Sequence, residues 1–457
     1  MFDPYLAETR FGLGLRPGLE PPRGLSVMLG RLSGPDRAAE RFPIDLFENY
    51  REKLVSDGHI GRVALTRTAA QRQAANRAVR KIARRDQLRW LRAILARRLE
   101  TQDGFRERLT HFWADHFTAI GKTSVLRQMH APYVEEAIRP RLTGRFRDML
   151  SAVVRHPMML AYLDQMRSVG PNSLAAQRSS RLNGLNENLA RELLELHTLG
   201  VGGPYDQNDV RQLAELLTGL SYSPENGFSF RRGMAEPGPE TILGKRYGGG
   251  RAQLSDIEDA LEDLAAHPTT ARHLARKLAV HFIGEAADPG MIEAMALAYL
   301  QQDGRLEALY VAMLSHPAAW RVAAPGNVRP PLDFVIASLR ALNIRAEQID
   351  VIRPRDVLNG FVRPLALMGM TWERPPGPDG WPENDNEWIT PQRHAARVQW
   401  AMSVPEKLAD PMPDPRQFLQ TALARPASDA LVFAAAAAES RAAGVGIILS
   451  SPEFQRV

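Results

Sequence analysis

The chain has 457 residues, 44% of them hydrophobic, which is ample for a large core. It has no cysteine, so disulfides, thiolate metal sites and cysteine nucleophiles are excluded and any metal must be held by His, Asp or Glu. The formal charge is +6 and lysine occurs only at Lys53, Lys81, Lys122, Lys245, Lys277 and Lys407, so arginine supplies nearly all the basic charge; the interspersed acids are almost as numerous, which weighs against a nucleic-acid partner.

Residues 1–45 read as an irregular Gly- and Pro-rich arm packed on the body. Their N-terminus carries acids early and no apolar core, so no secretory signal is expected and the cytoplasm is the expected compartment. Residues 46–345 read as a helical core. Within its long basic stretch, Leu88, Leu91, Ile94 and Leu95 form a core stripe, and the arginines cover a solvated face with almost no aromatic residues for stacking on single strands. In Gly104–Thr123, Phe105, Leu109, Phe112, Trp113 and His116 share one helical face. His116 is therefore expected to be neutral and hydrogen-bonded, and His111, on the opposite face, exposed.

The densest chemistry lies in Leu182–Gly203. A helix from about Leu185 to Leu199 is expected, with Asn183 and Asn186 as start signals, Glu187 in its first turn and Gly200 as its stop. Leu185, Leu189, Leu193, Leu196 and Leu199 make its apolar stripe, and Glu192 falls inside it. Asn188 and Glu195 lie one turn either side of Glu192, with Arg191 next outward. A buried carboxylate needs a cation, donors, a metal or a proton, and Arg191 or another arginine is the expected partner. A further helix opens at Asp206 with Asp209 in capping-box position.

Ser223–Arg251 reads as a short hairpin or lid, and its Gly248-Gly249-Gly250 run lacks the context of a phosphate loop. Residues 346–457 read as a Trp- and Pro-rich loop, with Trp372, Trp381 and Trp388, followed by closing helices packed on the core. Asp429, Glu439 and Arg441 interrupt the stretch closest to a membrane span, so no transmembrane segment is expected. The expected fold is all-α, a multi-helix, bundle-like body with irregular Gly/Pro/Trp-rich loops and at most a small β-hairpin.

Several stretches, RFGLGLRPG, RLTHFWADHF, GLNENLARELLELHTLGVGGPYDQNDVRQLAELLTGL, PDGWPENDNEWIT with Arg397, and SPEFQRV, resemble the bacterial family known as domain of unknown function 1800. The resemblance implies a mostly helical bacterial protein and supplies no reaction. Its strongest motif residues fall on Trp113, His116, Asn186, Glu187, Asn188, Arg191, Glu192, Glu195, His197, Gly200 and Asp209. Relatives often carry export signals, and many have a His-Asp pair and then a Lys where this chain has Ala235, Glu236 and Glu240.

Three functions compete. The first is a hydrolase on a glycan or ester, with Glu192 and Glu195 or Asp209 as acid and base, His116 tuning them, and Asn188, Arg191, His197, Trp381, Trp388 and Arg397 contacting substrate. The second is a non-catalytic interaction or scaffold protein whose polar helix is a structural network. The third is a divalent-metal site from Glu192, Glu195 and His116 or His197. No Gly-x-Ser-x-Gly elbow and no nucleotide or thiolate-metal signal occurs; the cofactor is unknown, and the partner, substrate or protein, is unnamed.

Overall fold

The computed structural model describes residues 1–56, 60, 68–122, 125–178, 184–321 and 326–457; the start signal at Asn183 lies outside them. Helix dominates as the periodicity predicts: 62% of the structure is helical, and its strands form two antiparallel two-strand hairpins. Leu220–Ser223 pairs with Gly227–Phe230 and Pro239–Ile242 with Lys245–Gly248, so two hairpins stand where one was expected. Among the described residues no helix is long and apolar enough to cross a membrane.

The basic stretch forms the helix Ala69–Glu100, opened by a reciprocal cap in which Thr68 Oγ1 accepts the Gln71 N–H and Gln71 Oε1 accepts the Thr68 N–H. Trp90 enters one hydrophobic cluster, built from residues between Ala7 and Ala319. Leu91, Leu95 and Leu99 enter a second, which joins Leu13 to residues between Val328 and Phe454. This helix is therefore a shared wall between two packed regions. The N-terminal arm is more ordered than its composition suggests, since Leu6, Ala7, Phe11 and Leu13 are buried and Leu25–Ser33 is helical.

The helix Gly104–His116 starts where Asp103 accepts the Arg106 N–H and is buried on nearly every side. Its first residue must be small, because a Cβ at Gly104 would sit 3.0 Å from the Gly12 Cα of the crossing arm.

The polar helix begins later than expected and changes pitch. Asn186 Oδ1 accepts the Asn188 N–H, so regular helix runs Asn188–Glu192 and continues as a π-helical segment, Leu193–Thr198. Burial then falls on Leu189 and Ala190, Leu193 and Leu194, His197 and Thr198, in steps of four. The wider turn rotates His197 inward and leaves Leu196 only half-buried, whereas a 3.6-residue repeat placed it within the apolar stripe; Glu192, in the regular turn before it, is half-buried too. Gly200, at φ +85°, ends the helix, and a Cβ there would come within 2.8 Å of His273 Nδ1.

Candidate functional site

The Trp-rich segment, residues 369–390, runs over the C-terminal end of Gly104–His116 and roofs a cleft. Asp115 is the fastening point. Its Oδ1 accepts the Trp381 N–H at 2.8 Å, and the backbone approaches so closely that a Cβ at Gly380 would lie 2.5 Å from the same oxygen. Gly380 also has φ +86°, which favours glycine independently. The segment is held farther along by Asp385, whose Oδ1 accepts the Val328 N–H at 3.0 Å and whose Oδ2 meets Arg456 at 3.2 Å.

The cleft has an empty volume of about 820 Å³, part of it open to solvent, and is walled by Trp372, Trp381, Met370, Leu332 and Ile94. Asp115, His111 and Glu373 face it together. Burial pushes Asp115 up to about 7, with Glu383 and Asp379 adding to the rise and the Trp381 N–H and Lys277 opposing it. Glu373 adopts φ +55°, uncommon for a side-chain-bearing residue, and accepts a hydrogen bond from Gln87 Nε2 at 2.9 Å. Burial pushes it, too, up to about 7. His111 is half-buried rather than exposed, because the Trp segment covers the face that the helix alone leaves open. Burial, reinforced by Arg98, lowers it to about 3, so its imidazole is neutral.

A second cavity shares His111, Asp115, Met370 and Trp381 and adds His116, Lys277, Glu383 and Trp388. Lys277 pairs with Glu383 at 3.3 Å. Around these cavities the arginines pair with acids, Arg98 and Arg108 with Asp333 (3.5 and 3.3 Å), Arg139 with Glu107 (2.5 Å) and Arg97 with Glu135 (2.7 Å). Those pairs neutralise one another and leave the two raised carboxyls as the unusual groups.

The residues singled out from the sequence are dispersed. His116 is buried beside the polar helix as expected, yet its Nε2 lies 3.2 Å from the backbone carbonyl of His197, and no acid holds it. Among the described residues His116 Nδ1 and His197 Nδ1 have no hydrogen-bond partner. Arg191, the expected partner of Glu192, bridges Glu187 and Glu195 instead, at 3.3 and 3.2 Å. Glu192 forms no ion pair among the described residues. Burial, Glu195 and Asp379 push it up to about 7 against the pull of Arg191, so it answers burial by holding a proton. The same Asp379 acts on Asp115, which places Glu192 beside the Trp segment, outside the two cavities.

Asn188 is exposed and sits at the helix start. Asp209 closes the capping box with Asp206 and accepts the Leu243 N–H at 2.8 Å. Trp381 and Trp388 line the second cavity, their rings 6.3 Å apart. Arg397 is fully buried, donating to Gln455 Oε1 and the Arg329 carbonyl. Among the described residues no group of three or more His, Asp or Glu is arranged to hold a metal ion.

Asp115, His111 and Glu373 escaped the sequence reading as site residues. Their signal was His111 and Asp115 one turn apart on one face of the Gly104–His116 helix; Glu373 carried none. Of the residues standing where relatives have His-Asp and Lys, Ala235 is buried and Glu236 accepts the Asn172 N–H and side-chain amide. Glu240 is buried and pushed up to about 7, by burial and then by Glu215 and Glu236. None of the three lines the Trp-walled cavities.

No curated protein and no solved structure matches the chain. The family model described as "Protein of unknown function (DUF1800)" matches residues 23–456, nearly the whole chain, with the polar helix, the Gly104–His116 helix and the Trp segment all inside the match; the chain belongs to this family.

Proposed function

We propose that the protein is a hydrolase that works by acid–base catalysis on a neutral, ring-bearing substrate of glycan or aryl-ester type bound in the Trp-walled cleft. The observation that carries this reading is the convergence of Asp115 and Glu373 on one aromatic-lined cavity. Two carboxyls each raised to about 7 by burial are each partly protonated near neutral pH, so in one state one donates to a leaving oxygen while the other, ionised, activates water or attacks. Trp372 and Trp381 offer flat apolar faces to a sugar or aryl ring. The carboxylates first named from the sequence fit less well, because Glu195 is committed to Arg191 and Asp209 to a helix cap. Glu192 lies outside both cavities and is coupled to the Trp segment through Asp379.

One observation favours a scaffold reading instead. Asp115 Oδ1 fastens the Trp segment, a structural task sufficient to explain a carboxylate there. The two readings separate when wild type, Asp115→Asn and Glu373→Gln are assayed against p-nitrophenyl glycosides and p-nitrophenyl esters, with thermal unfolding in parallel. The catalytic reading expects turnover by wild type and a loss of roughly 100-fold or more in each variant, with melting temperatures close to wild type. Absence of turnover across the panel, together with a large melting-temperature drop in Asp115→Asn, supports the scaffold and sinks the hydrolase.

A further inference from the structure

The last residues of the chain cross the N-terminal arm, and the crossing leaves a second cleft, remote in sequence from the Trp segment, with an empty volume of about 1100 Å³, part of it open to solvent. Its charge is one-sided. Arg10, Arg329, Arg425 and Arg456 line it, brought from four separate stretches, against a single acidic side chain, Glu453, which is engaged by Ser428 Oγ at 2.7 Å.

Two of these guanidiniums are deeply placed. Arg10 is 1% exposed; its Nη1 donates to the carbonyls of Ala319 and Arg321 at 2.7 and 2.9 Å, and its Nε has no partner. Arg329 is 4% exposed, donates from Nε to the Phe454 carbonyl at 2.9 Å and lies 5.5 Å above the Phe454 ring. Among the described residues no carboxylate pairs with Arg10, Arg329 or Arg425. Arg456 is the exception, meeting Asp385 at 3.2 Å.

Several buried arginines of this molecule are paired with acids, as at Arg97 with Glu135 and Arg139 with Glu107. Around Arg10 and Arg329 the cleft supplies only neutral carbonyls and a ring. Four cations facing the single acidic side chain Glu453 in one cleft repel one another, and a bound anion relieves that repulsion. Burial lowers Arg10 to about 10, and the neighbouring Arg425 adds to the fall, which is the electrostatic sign of that unmet demand.

We infer that this cleft is a binding site for a small, multiply charged phosphate-type oxyanion, a pyrophosphate or a phosphate monoester. Arg425 grips it at the mouth, and Arg10, Arg329 and Arg456 contribute charge and donors from the wall. A tetrahedral oxyanion presents acceptors in several directions, and the planar forks of guanidinium groups arriving from four stretches of chain match that geometry. A single carboxylate would satisfy only one fork.

The test uses the full chain with sodium pyrophosphate as the probe, read by calorimetric titration and thermal unfolding, and sodium chloride at matched ionic strength as control. Arg425 is exposed and forms no ion pair among the described residues, so Arg425→Ala is expected to fold as wild type. The inference expects saturable binding, a melting temperature that rises with pyrophosphate and stays flat in chloride, and affinity about tenfold weaker in Arg425→Ala, one charge-assisted hydrogen bond's worth. Arg10→Gln should weaken binding further if it folds. An equal response to chloride, no heat of binding, or wild-type affinity in Arg425→Ala would each overturn it.

Discussion

The polar helix and the Gly104–His116 helix bring similar side chains to opposite ends. In the polar helix most of the conspicuous groups satisfy one another: Arg191 sits between Glu187 and Glu195 and Asn186 caps the first turn, while Glu192 is half-buried and forms no ion pair among the described residues. In Gly104–His116 the groups Arg106, Glu107 and Arg108 are taken up in ion pairs, and two others, His111 and Asp115, are left facing a cavity roofed by a segment more than 250 residues away, with Trp381 Nα 266 positions from Asp115. A dense polar stretch thus marks where a helix edge organises its own solvation. Polar groups left over once a buried helix has made its ion pairs mark where the fold has set a polar group against open space.

The Trp segment is most easily released where Gly380 passes Asp115. Gly380→Ala puts a Cβ 2.5 Å from Asp115 Oδ1 and forces a side chain into φ +86°. The backbone strain alone costs roughly 1–3 kcal/mol, and the clash adds to it. The expected outcome is a melting temperature several degrees lower and a Trp segment released from the cleft, visible as red-shifted tryptophan emission. A variant as stable as wild type, with unchanged emission, would mean that the segment is not held by Asp115.

A smaller effect sharpens the contrast at the polar helix. Glu192 has its folded-state pKa raised to about 7 from an ordinary 4.5, so its contribution to stability is full below about 4.5 and is lost as pH rises through about 7. Glu192→Gln removes that loss. It should match wild type near pH 4.5 and melt slightly higher, by roughly a degree, near pH 8, because solvent screens a half-exposed group. The arginine partner expected from the sequence would give the reverse, a variant less stable at pH 8, and that result would restore the ion-pair reading.

The fold was legible because helical spacing is a local property. The stripe of Leu91 and Leu95, the stop at Gly200 and the cap at Asp206 all follow from neighbours within a turn or two. The π-helical turns over Leu193–Thr198 were not legible, and they moved His197 inward and left Leu196 half-buried, since a change of pitch shifts every later residue around the axis. The candidate site was half legible. Trp381 and Trp388 were read as cleft or packing residues on composition, and they line a cavity. Asp115 and Glu373 were missed because what sets them apart is the contact between a helix and a loop distant in sequence, which periodicity does not carry.

The central claim is that Asp115 holds a proton near neutral pH beneath the Trp segment. Its most direct test is a pH titration of the aspartate side-chain carboxyl carbons by carbon-13 NMR on the full chain, with Asp115→Asn identifying the signal. The account predicts that this resonance titrates with a midpoint near 7. A midpoint near 4, the ordinary aspartate value, would contradict it and leave Asp115 as a plain ionised anchor for the loop.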